Sequence, residues 1–310
     1  GDGGKVVVWS DHETVFAGEI SARGGEQNGN GGNVEVSGKK TLTYSGLVDL
    51  SALRGQAGNL LLDPLNFTIG KDITGAALAA QLGLSNVIVQ TANTGSEAGN
   101  IYVNDSVSWN NGNTLTMKAH NDIIINNVIS NSGGGNLVLR ADSDASGAGT
   151  VSFTGSGAVV FTGGGTASIY YNPAGGYTAP VDYSGYFTGV TPIAYMLINN
   201  VTDLQNVNNN LTGNYALGAN IDASETTGWN GGKGFEPLGN DSLDDPTKVF
   251  SGIFDGNGYT ISNLYINRSG EQYVGMFAAT YKVSTIRNVW LENVDITGGY
   301  QTGGLAAHIC

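Results

Sequence analysis

A pattern of alternating apolar residues recurs along the chain, each time after a glycine and a short polar stretch. Within each copy, apolar side chains at every second position lie on one face of a strand. The glycine and the asparagine that often follows it permit a tight turn before that strand. Close copies occupy residues 32–36, 58–62, 99–103 and 135–139, and looser copies occupy 4–8 and 149–153. Strands this short are not stable alone, so the pattern predicts that many of them stack on one another.

The copies are spaced like the coils of a β-solenoid. Gly4 aligns with Gly32 at an offset of 28 residues, and Gly32 aligns with Gly58 at an offset of 26. Offsets of this size are typical of one supersecondary unit in a stacked repeat. A β-sandwich is the alternative, but the Asn-Gly hairpin turns that join its paired strands are scarce in the first half of the chain. We therefore predict an all-β fold, a parallel β-helix (β-solenoid) with strands about 4.8 Å apart.

Two short segments have the spacing of helices and are predicted as helical excursions from the stack. In the first, Thr74 is placed to cap a helix whose Leu78 and Leu82 share one face. In the second, residues 202–205 have the form of a capping box, Thr-x-x-Gln. The apolar face of that second helix would consist of Leu204, Val207 and Leu211.

Changes in composition divide the chain into two stacks and a junction. Residues 1–172 carry the first set of repeating strands. Residues 173–194 hold three of the six prolines and three tyrosines, which is typical of a linker between modules. Residues 195–310 form a second module, in which the pattern of residues 274–278 recurs at 303–307. This pattern is still running at the last residue, so we expect the second module to be truncated at its end.

Composition and charge exclude several classes of protein. Glycine supplies 49 of the 310 residues and charged residues only 13%, yet Val, Ile and aromatic residues are too plentiful for a disordered chain. A Gly-X-Y period, which collagen requires, is missing. The net charge of −13 and the lack of a Lys/Arg cluster argue against a nucleic-acid partner. No apolar run approaches ~20 residues, so we expect no membrane insertion.

Patterns that carry catalysis are incomplete in this sequence. His12 begins an H-E-x-x-H pattern, but Phe16 stands where the second zinc ligand would be. A carbohydrate-active β-helix enzyme is the strongest enzymatic alternative, and it needs clustered carboxylates. Asp142 and Asp144 near Arg140 are the best such group, although a solvated turn is the simpler interpretation. We therefore predict a protein that is not an enzyme, with no catalytic residue, no metal and no cofactor.

The largest departure from the repeat is the polar excursion at residues 224–248, which we predict as the ligand-binding region. Departures from a stacked repeat lie at the surface and are free to carry specificity. An aromatic face, a glycine-rich backbone and carboxylates together suit contact with a glycan, while a packed structural loop is the alternative. Its acidic cluster, residues 241–245, would suit Ca²⁺, but a solvated loop is the simpler interpretation. The candidate contact residues are Trp229, Lys233, Phe235, Asp241, Asp244 and Asp245.

Longer stretches of the sequence carry two family resemblances. Residues 3–25, 31–48, 60–69 and 133–171 resemble the filamentous-haemagglutinin-type exoproteins of bacterial two-partner secretion. Residues 195–310 resemble the GLUG-repeat modules of bacterial surface proteins, through the segments FDGNGYTISNLYI, VGMFA and GGLAA.

The resemblance implies a right-handed parallel β-helix and a function in adhesion. Such a protein is exported to the bacterial cell surface by an outer-membrane transporter partner, and it attaches to a glycan or protein receptor on host cells, matrix or other bacteria. We therefore expect a non-catalytic segment of a large secreted adhesin. A carbohydrate-active β-helix enzyme and a purely structural spacer of an exoprotein are the alternatives.

Overall fold

The protein is a parallel β-solenoid built almost entirely of short strands, as a computed structural model shows and as the sequence predicted. The structure describes residues 1–92, 97–240, 245 and 247–309. These residues form two compact units. The first unit contains residues 1–143, 148–171 and 182–194, and the second contains residues 144–147, 172–181 and 195–310.

All strand pairs of the first unit are parallel and join one coil to the next. Val6 pairs with Val34, and Val34 pairs with Leu60, which confirms the register predicted from the glycine spacing. The strands are β1 (Lys5–Ser10), β2 (Glu13–Phe16), β3 (Glu19–Ser21), β4 (Asn33–Gly38), β5 (Thr41–Tyr44), β6 (Leu47–Asp49), β7 (Asn59–Asp63), β8 (Phe67–Ile69), β9 (Asn86–Gln90), β10 (Ile101–Val103), β11 (Val107–Trp109), β12 (Leu115–Lys118), β13 (Ile123–Ile125), β14 (Val128–Asn131), β15 (Leu137–Arg140), β16 (Val151–Phe153), β17 (Ala158–Phe161), β18 (Ala167–Tyr171) and β19 (Phe187–Thr188).

The strands of the first unit stack into sheets that run along the solenoid. The largest has the order β1-β4-β7-β9-β12-β15-β18, and two smaller sheets have the orders β16-β13-β10-β8 and β11-β14-β17-β19. The pairs β2–β5 and β3–β6 extend the earliest coils. Inward side chains of successive coils lie on one another, so Leu60, Val87, Leu115 and Leu137 form one fully buried row. Each such side chain contributes about 1.5–3 kcal/mol on burial.

The first predicted helix is confirmed as α1 (Gly75–Leu82). Thr74 caps it, because its hydroxyl accepts a hydrogen bond from the amide of Ala77, and Leu78 and Leu82 are buried. Gln81 is also fully buried, which the apolar periodicity did not predict. Its amide binds the Tyr44 hydroxyl, the Ser85 hydroxyl and both backbone groups of Val48, at 2.6–3.0 Å. This satisfied amide ties the helix to the neighbouring coil.

Asparagine side chains form a ladder along one corner of the first unit. Each amide donates a hydrogen bond to the coil before it or accepts one from the coil after it, so a row of turn residues links successive coils. The rungs are Asn59 to Asn33 at 3.1 Å, Asn86 to Asn59 at 3.4 Å, the Thr114 amide to Asn86 at 2.9 Å, Asn136 to the Thr114 hydroxyl at 3.4 Å, and the Thr166 amide to Asn136 at 2.9 Å. These hydrogen bonds offset the free-energy cost of holding the turn backbones of successive coils at a fixed spacing.

The Pro- and Tyr-rich segment 173–194 is packed rather than extended. Residues 182–194 belong to the first unit, where Tyr183 is buried and donates its hydroxyl proton to the carbonyl of Val151 at 2.9 Å. Tyr186 stacks on Phe153 with ring centroids 4.6 Å apart. Residues 172–181 belong to the second unit, where the hydroxyl of Tyr177 donates to the carbonyl of Leu197 at 2.7 Å.

The second unit is also a parallel stack, with shorter strands and longer connections. Its sheets have the orders β20-β21-β23-β27 and β22-β24-β28, with the pairs β25–β29 and β26–β30. The strands are β20 (Ile193–Ile198, which enters this unit at Tyr195), β21 (Tyr215–Leu217), β22 (Ile221–Asp222), β23 (Ile253–Asp255), β24 (Thr260–Ser262), β25 (Tyr265–Arg268), β26 (Phe277–Thr280), β27 (Thr285–Arg287), β28 (Trp290–Glu292), β29 (Asp295–Gly298) and β30 (Ala306–Ile309). Short 3-10 helices occupy Val207–Asn209 and Ser224–Gly232 in this unit and Ser184–Tyr186 in the first unit.

The second predicted helix exists as α2 (Val201–Asn206), but its predicted cap is wrong. Asn200, not Thr202, caps the helix. The backbone of Asn200 is extended and its side-chain oxygen accepts from the amide of Asp203 at 2.8 Å. Asparagine and threonine are both good caps, and position within the turn decides between them. The apolar face is confirmed, since Leu204, Val207 and Leu211 are buried.

Aromatic side chains fill the core of the second unit. Phe250 is fully buried with ring centroids 4.9 Å from Phe277, 6.3 Å from Phe254 and 6.4 Å from Tyr215. The strands here are shorter, so bulky rings rather than rows of branched aliphatic residues supply the buried area. Among the described residues, no helix is long and apolar enough to cross a membrane.

Candidate functional site

The predicted binding excursion starts with an irregular helical turn, Ser224–Gly232. Its helical geometry breaks at Trp229, and Asn230 and Gly231 adopt left-handed backbone conformations with φ of 52° and 66°. Thr226 anchors the turn, because its buried hydroxyl donates to the carbonyl of Ala223 and accepts from the amide of Tyr265. Trp229 is half-buried. The turn is therefore held by specific hydrogen bonds.

After this turn, the excursion packs on the coil below it. The amide of Phe235 donates to the carbonyl of Tyr265 at 2.9 Å, and the amide of Leu238 donates to the carbonyl of Met276 at 2.8 Å. Phe235 is fully buried, so its prediction as a ligand contact is corrected: the ring belongs to the core. The sequence placed Phe235 in a polar, glycine-rich stretch, and only the register of the excursion against strand β25 shows that it faces inward.

The predicted acidic residues lie at the far end of the excursion. Asp245 is half-buried, and its carboxylate accepts from the amide and hydroxyl of Thr247 at 3.0 and 2.6 Å. These hydrogen bonds lower the pKa of Asp245, and the more distant Lys248 lowers it further. Asp241 and Asp244 lie outside the described residues. No group of three or more acidic, histidine or cysteine side chains in the described part of the chain could hold a metal ion.

A groove of about 350 Å³ lies beside the middle of the excursion and is the candidate site. One wall is the excursion and the other is the turn after strand β25. The lining residues are Glu236, Pro237, Gly239, Asn240, Arg268, Glu271, Gln272, Tyr273 and Ala278. A groove of this size takes a small ligand or one or two sugar rings.

Two side chains from the preceding helices hold the excursion wall of the groove. The amide of Gln205 binds both backbone groups of Glu236, at 2.8 and 2.9 Å. The amide of Asn208 accepts from the amide of Gly239 at 2.8 Å and donates to the carbonyl of Pro237 at 3.2 Å. The wall is therefore fixed before any ligand arrives, which lowers the entropy cost of binding.

Three charged side chains form a fixed ionic cluster at the other wall. Glu271 accepts from Arg268 at 2.9 Å and from Lys233 at 3.0 Å. These hydrogen bonds, first from Arg268 and then from Lys233, lower the pKa of Glu271. Arg268 is largely buried and also donates to the carbonyl of Phe235 at 3.3 Å. Of the predicted contacts, Lys233 therefore binds a residue that lines the groove, Glu271, but does not line the groove itself.

The remaining groups suit recognition of hydroxyl groups. Glu236 and Gln272 are exposed and offer a carboxylate and an amide, while Tyr273 offers a half-buried ring. Tyr273 has a φ of 56°, and its ring meets the His308 ring edge-on with centroids 5.7 Å apart. Polar groups that both donate and accept, beside an aromatic ring, match the alternating polar and apolar faces of a sugar.

Sequence reasoning missed Arg268, Glu271 and Tyr273. Their only signal was an Arg and a Glu three residues apart in the turn that follows a strand. The possible lyase-type group at Arg140 and Asp142 behaves differently. Both side chains are buried, so neither faces a surface that a polysaccharide could reach, and the solvated turn that was the simpler interpretation is wrong for Asp142.

Comparison with known proteins gives partial similarity to two of them. Over 121 residues the chain is 43% identical to Halomucin of Haloquadratum walsbyi, a match that covers 37% of this chain and 1% of Halomucin. Over 107 residues it is 34% identical to a protein of Evansella cellulosilytica named as a Gly-rich membrane protein, covering 34% of this chain and 11% of that protein. No family model and no solved structure matches the chain. The chain is thus similar, over about a third of its length, to small parts of two much longer proteins.

Proposed function

We propose that the chain is a non-catalytic segment of a large extracellular surface protein, and that the groove of the second unit binds a glycan or protein receptor. The resemblance to two-partner-secretion exoproteins and to GLUG modules supports export to a bacterial cell surface through an outer-membrane transporter. The solenoid fold and the similarity to parts of much longer proteins, one of them named as a membrane protein, support a role in a long surface molecule.

One observation carries the binding proposal: the groove presents exposed polar groups on a rigid frame. The carboxylate of Glu236 and the amide of Gln272 are exposed at its edge, while Gln205 and Asn208 fix the wall behind them. A spacer needs no such groove, because stacked coils satisfy their own backbone groups. A preformed groove with exposed donors and acceptors suits reversible attachment.

The same groove is poorly suited to glycoside hydrolysis. That reaction needs one protonated carboxylic acid and one carboxylate facing each other. Glu271 is held as a carboxylate by Arg268 and Lys233, so it cannot supply a proton near neutral pH. Glu236 is exposed to solvent, whereas the general acid of a glycosidase lies in an apolar pocket. The two carboxylates therefore favour binding over catalysis.

A glycan array and a cell-attachment assay with the full chain test this proposal. Glu236→Gln and Tyr273→Asn remove the carboxylate and the ring, and asparagine tolerates the positive φ at position 273. We expect attachment to fall about tenfold in each variant, corresponding to about 1.4 kcal/mol, with an unchanged melting temperature. Trp290→Ala is the matched control, because it removes an exposed aromatic side chain from another surface.

Equal attachment by all four proteins would contradict the binding groove and favour a spacer. Release of reducing sugar from any glycan that the chain binds, abolished by Glu236→Gln, would instead favour the enzyme.

A further inference from the structure

A second hollow, in the first unit, has a different chemistry. It measures about 910 Å³ and lies between two stacked loops, residues 22–31 and 49–58. Its lining consists of Arg23, Gly24, Gly25, Glu26, Gln27, Leu53 and Arg54.

The two loops are bonded to each other on both sides of the hollow. On one side, the amides of Ala22 and Gly24 donate to the carbonyls of Asp49 and Ser51, both at 3.0 Å. On the other side, the amide of Gly31 donates to the carbonyl of Gln56 at 2.9 Å. The side-chain oxygen of Asn30 also accepts from the amide of Gln56 at 2.9 Å. The hollow is therefore part of a rigid frame and not a gap between independent loops.

The arginines of this chain are distributed unevenly. The sequence contains five. Arg140 is buried, while Arg268 and Arg287 form close ion pairs with Glu271 and Asp255. Arg23 and Arg54, the two exposed arginines of the first unit, both line this hollow.

The charges in the hollow are only partly matched. Arg23 lies 3.5 Å from the carboxylate of Asp49 through its Nε, and more than half of its side chain stays exposed. Within the described residues Arg54 has no ion pair and no hydrogen-bonded partner. Leu53, which is 72% exposed, provides an apolar lip beside Arg54.

We propose that this hollow binds a ligand that bears a single carboxylate on a neutral body, with Arg54 pairing with the carboxylate and Leu53 contacting the body. Guanidinium groups recognise carboxylates through paired hydrogen bonds. Glu26 in the hollow and the net charge of −13 repel ligands with many negative charges, so one negative charge is favoured. A uronic acid has this chemistry. The proposal does not depend on the groove of the second unit.

Nuclear magnetic resonance of the arginine Nε–Hε groups of the full chain tests the proposal, with D-galacturonate as the probe and D-galactose as its neutral match. We expect galacturonate to shift the signals of Arg23 and Arg54 but not those of Arg268 and Arg287, and galactose to shift none. Raising the salt concentration should weaken the effect, because both charged groups are exposed.

Arg54→Gln should weaken galacturonate binding about tenfold, the loss of one charge-assisted contact. Lys40→Gln is the control, because it removes the same charge from an exposed site elsewhere in the first unit. Equal weakening in both variants would overturn the proposal, since binding would then follow net charge alone. Equal binding of galactose or of inorganic sulfate would also overturn it, because the site would then not select a carboxylate on a neutral body.

Discussion

Asparagine has one role in the first unit and two in the second. In the first unit, asparagines such as Asn59 and Asn86 bond through their side chains from coil to coil. In the second unit such rungs recur, for example from the amide of Ile253 to the side-chain oxygen of Asn214 at 3.2 Å, and asparagine also supplies left-handed backbone at the corners between strands. Every described asparagine with positive φ lies there: Asn230, Asn257, Asn263, Asn288 and Asn293, with φ of 52–58°.

This difference shows that one composition supports two ways of turning a coil. A corner with extended backbone leaves the side chain free to reach the next coil. A corner made by a single left-handed residue is tighter and uses asparagine for its backbone tolerance.

The largest expected effect separates the aromatic core of the second unit from the aliphatic core of the first. Phe250→Ala should cost about 3–5 kcal/mol, because the ring is fully buried among three other rings. Hydrogen exchange should show lost protection in the second unit. Trp290→Ala, at a 67% exposed side chain, should change stability by less than about 0.5 kcal/mol. A similar loss in both variants would mean that packing around Phe250 is not the cause.

The next effect concerns the buried amide that has no counterpart in the ladders. Gln81→Leu keeps the volume but leaves both backbone groups of Val48 and the Tyr44 hydroxyl without their partner. We expect a loss of about 2–4 kcal/mol in chemical denaturation. Gln56→Leu, at an exposed position, is the control. If Gln81→Leu were as stable as the unchanged chain, water molecules would be binding the buried groups in place of the Gln81 amide.

A glycine substitution should distinguish the two roles of asparagine directly. Asn86→Gly removes two ladder bonds and should cost about 1–2 kcal/mol. Asn293→Gly should change stability by less than about 0.5 kcal/mol, because glycine accepts a φ of 52°. Asn293→Val should cost about 1–2 kcal/mol through backbone strain. Equal melting temperatures for Asn86→Gly and Asn293→Gly would show that the asparagine side chain adds no more stability in the ladder than at a left-handed corner.

The smallest effect is a pH dependence in the first unit. Burial, and then the charge of Glu35, raises the pKa of Asp63 from 3.8 to about 6. Between these values the folded protein keeps a proton that the unfolded chain has released. Stability is therefore highest below about pH 4 for this group and falls as the pH rises to about 6, by about 1 kcal/mol after allowing for solvent screening. Asp63→Asn should flatten this part of the curve, measured by urea unfolding.

The alternation of apolar residues predicted much of the fold, because the residues that form the strands also carry the repeat. The close copies at residues 32–36, 58–62, 99–103 and 135–139 each contain a strand, in order β4, β7, β10 and β15. The strands at 107–109 and 128–131 were missed, because neither follows the glycine that begins each copy of the pattern.

The candidate site was harder to predict, since it depends on register between distant segments. Phe235 and Lys233 are two residues apart in a similar polar stretch, yet one is buried and the other reaches Glu271. The pairing of Phe235 with Tyr265 decides this, and it joins segments 30 residues apart in sequence. Arg268 and Tyr273 could be assigned to the groove only from that pairing.

The asparagine ladder of the first unit also bears on how such a chain changes length. Every rung points the same way, with the later residue donating to the earlier one. A duplicated coil with an asparagine at this corner would accept from the coil after it and donate to the coil before it. Insertion or deletion of a whole coil therefore leaves no side-chain amide of the ladder without a partner. Gene duplication can lengthen the stack without new contacts having to arise where the inserted coil meets its neighbours.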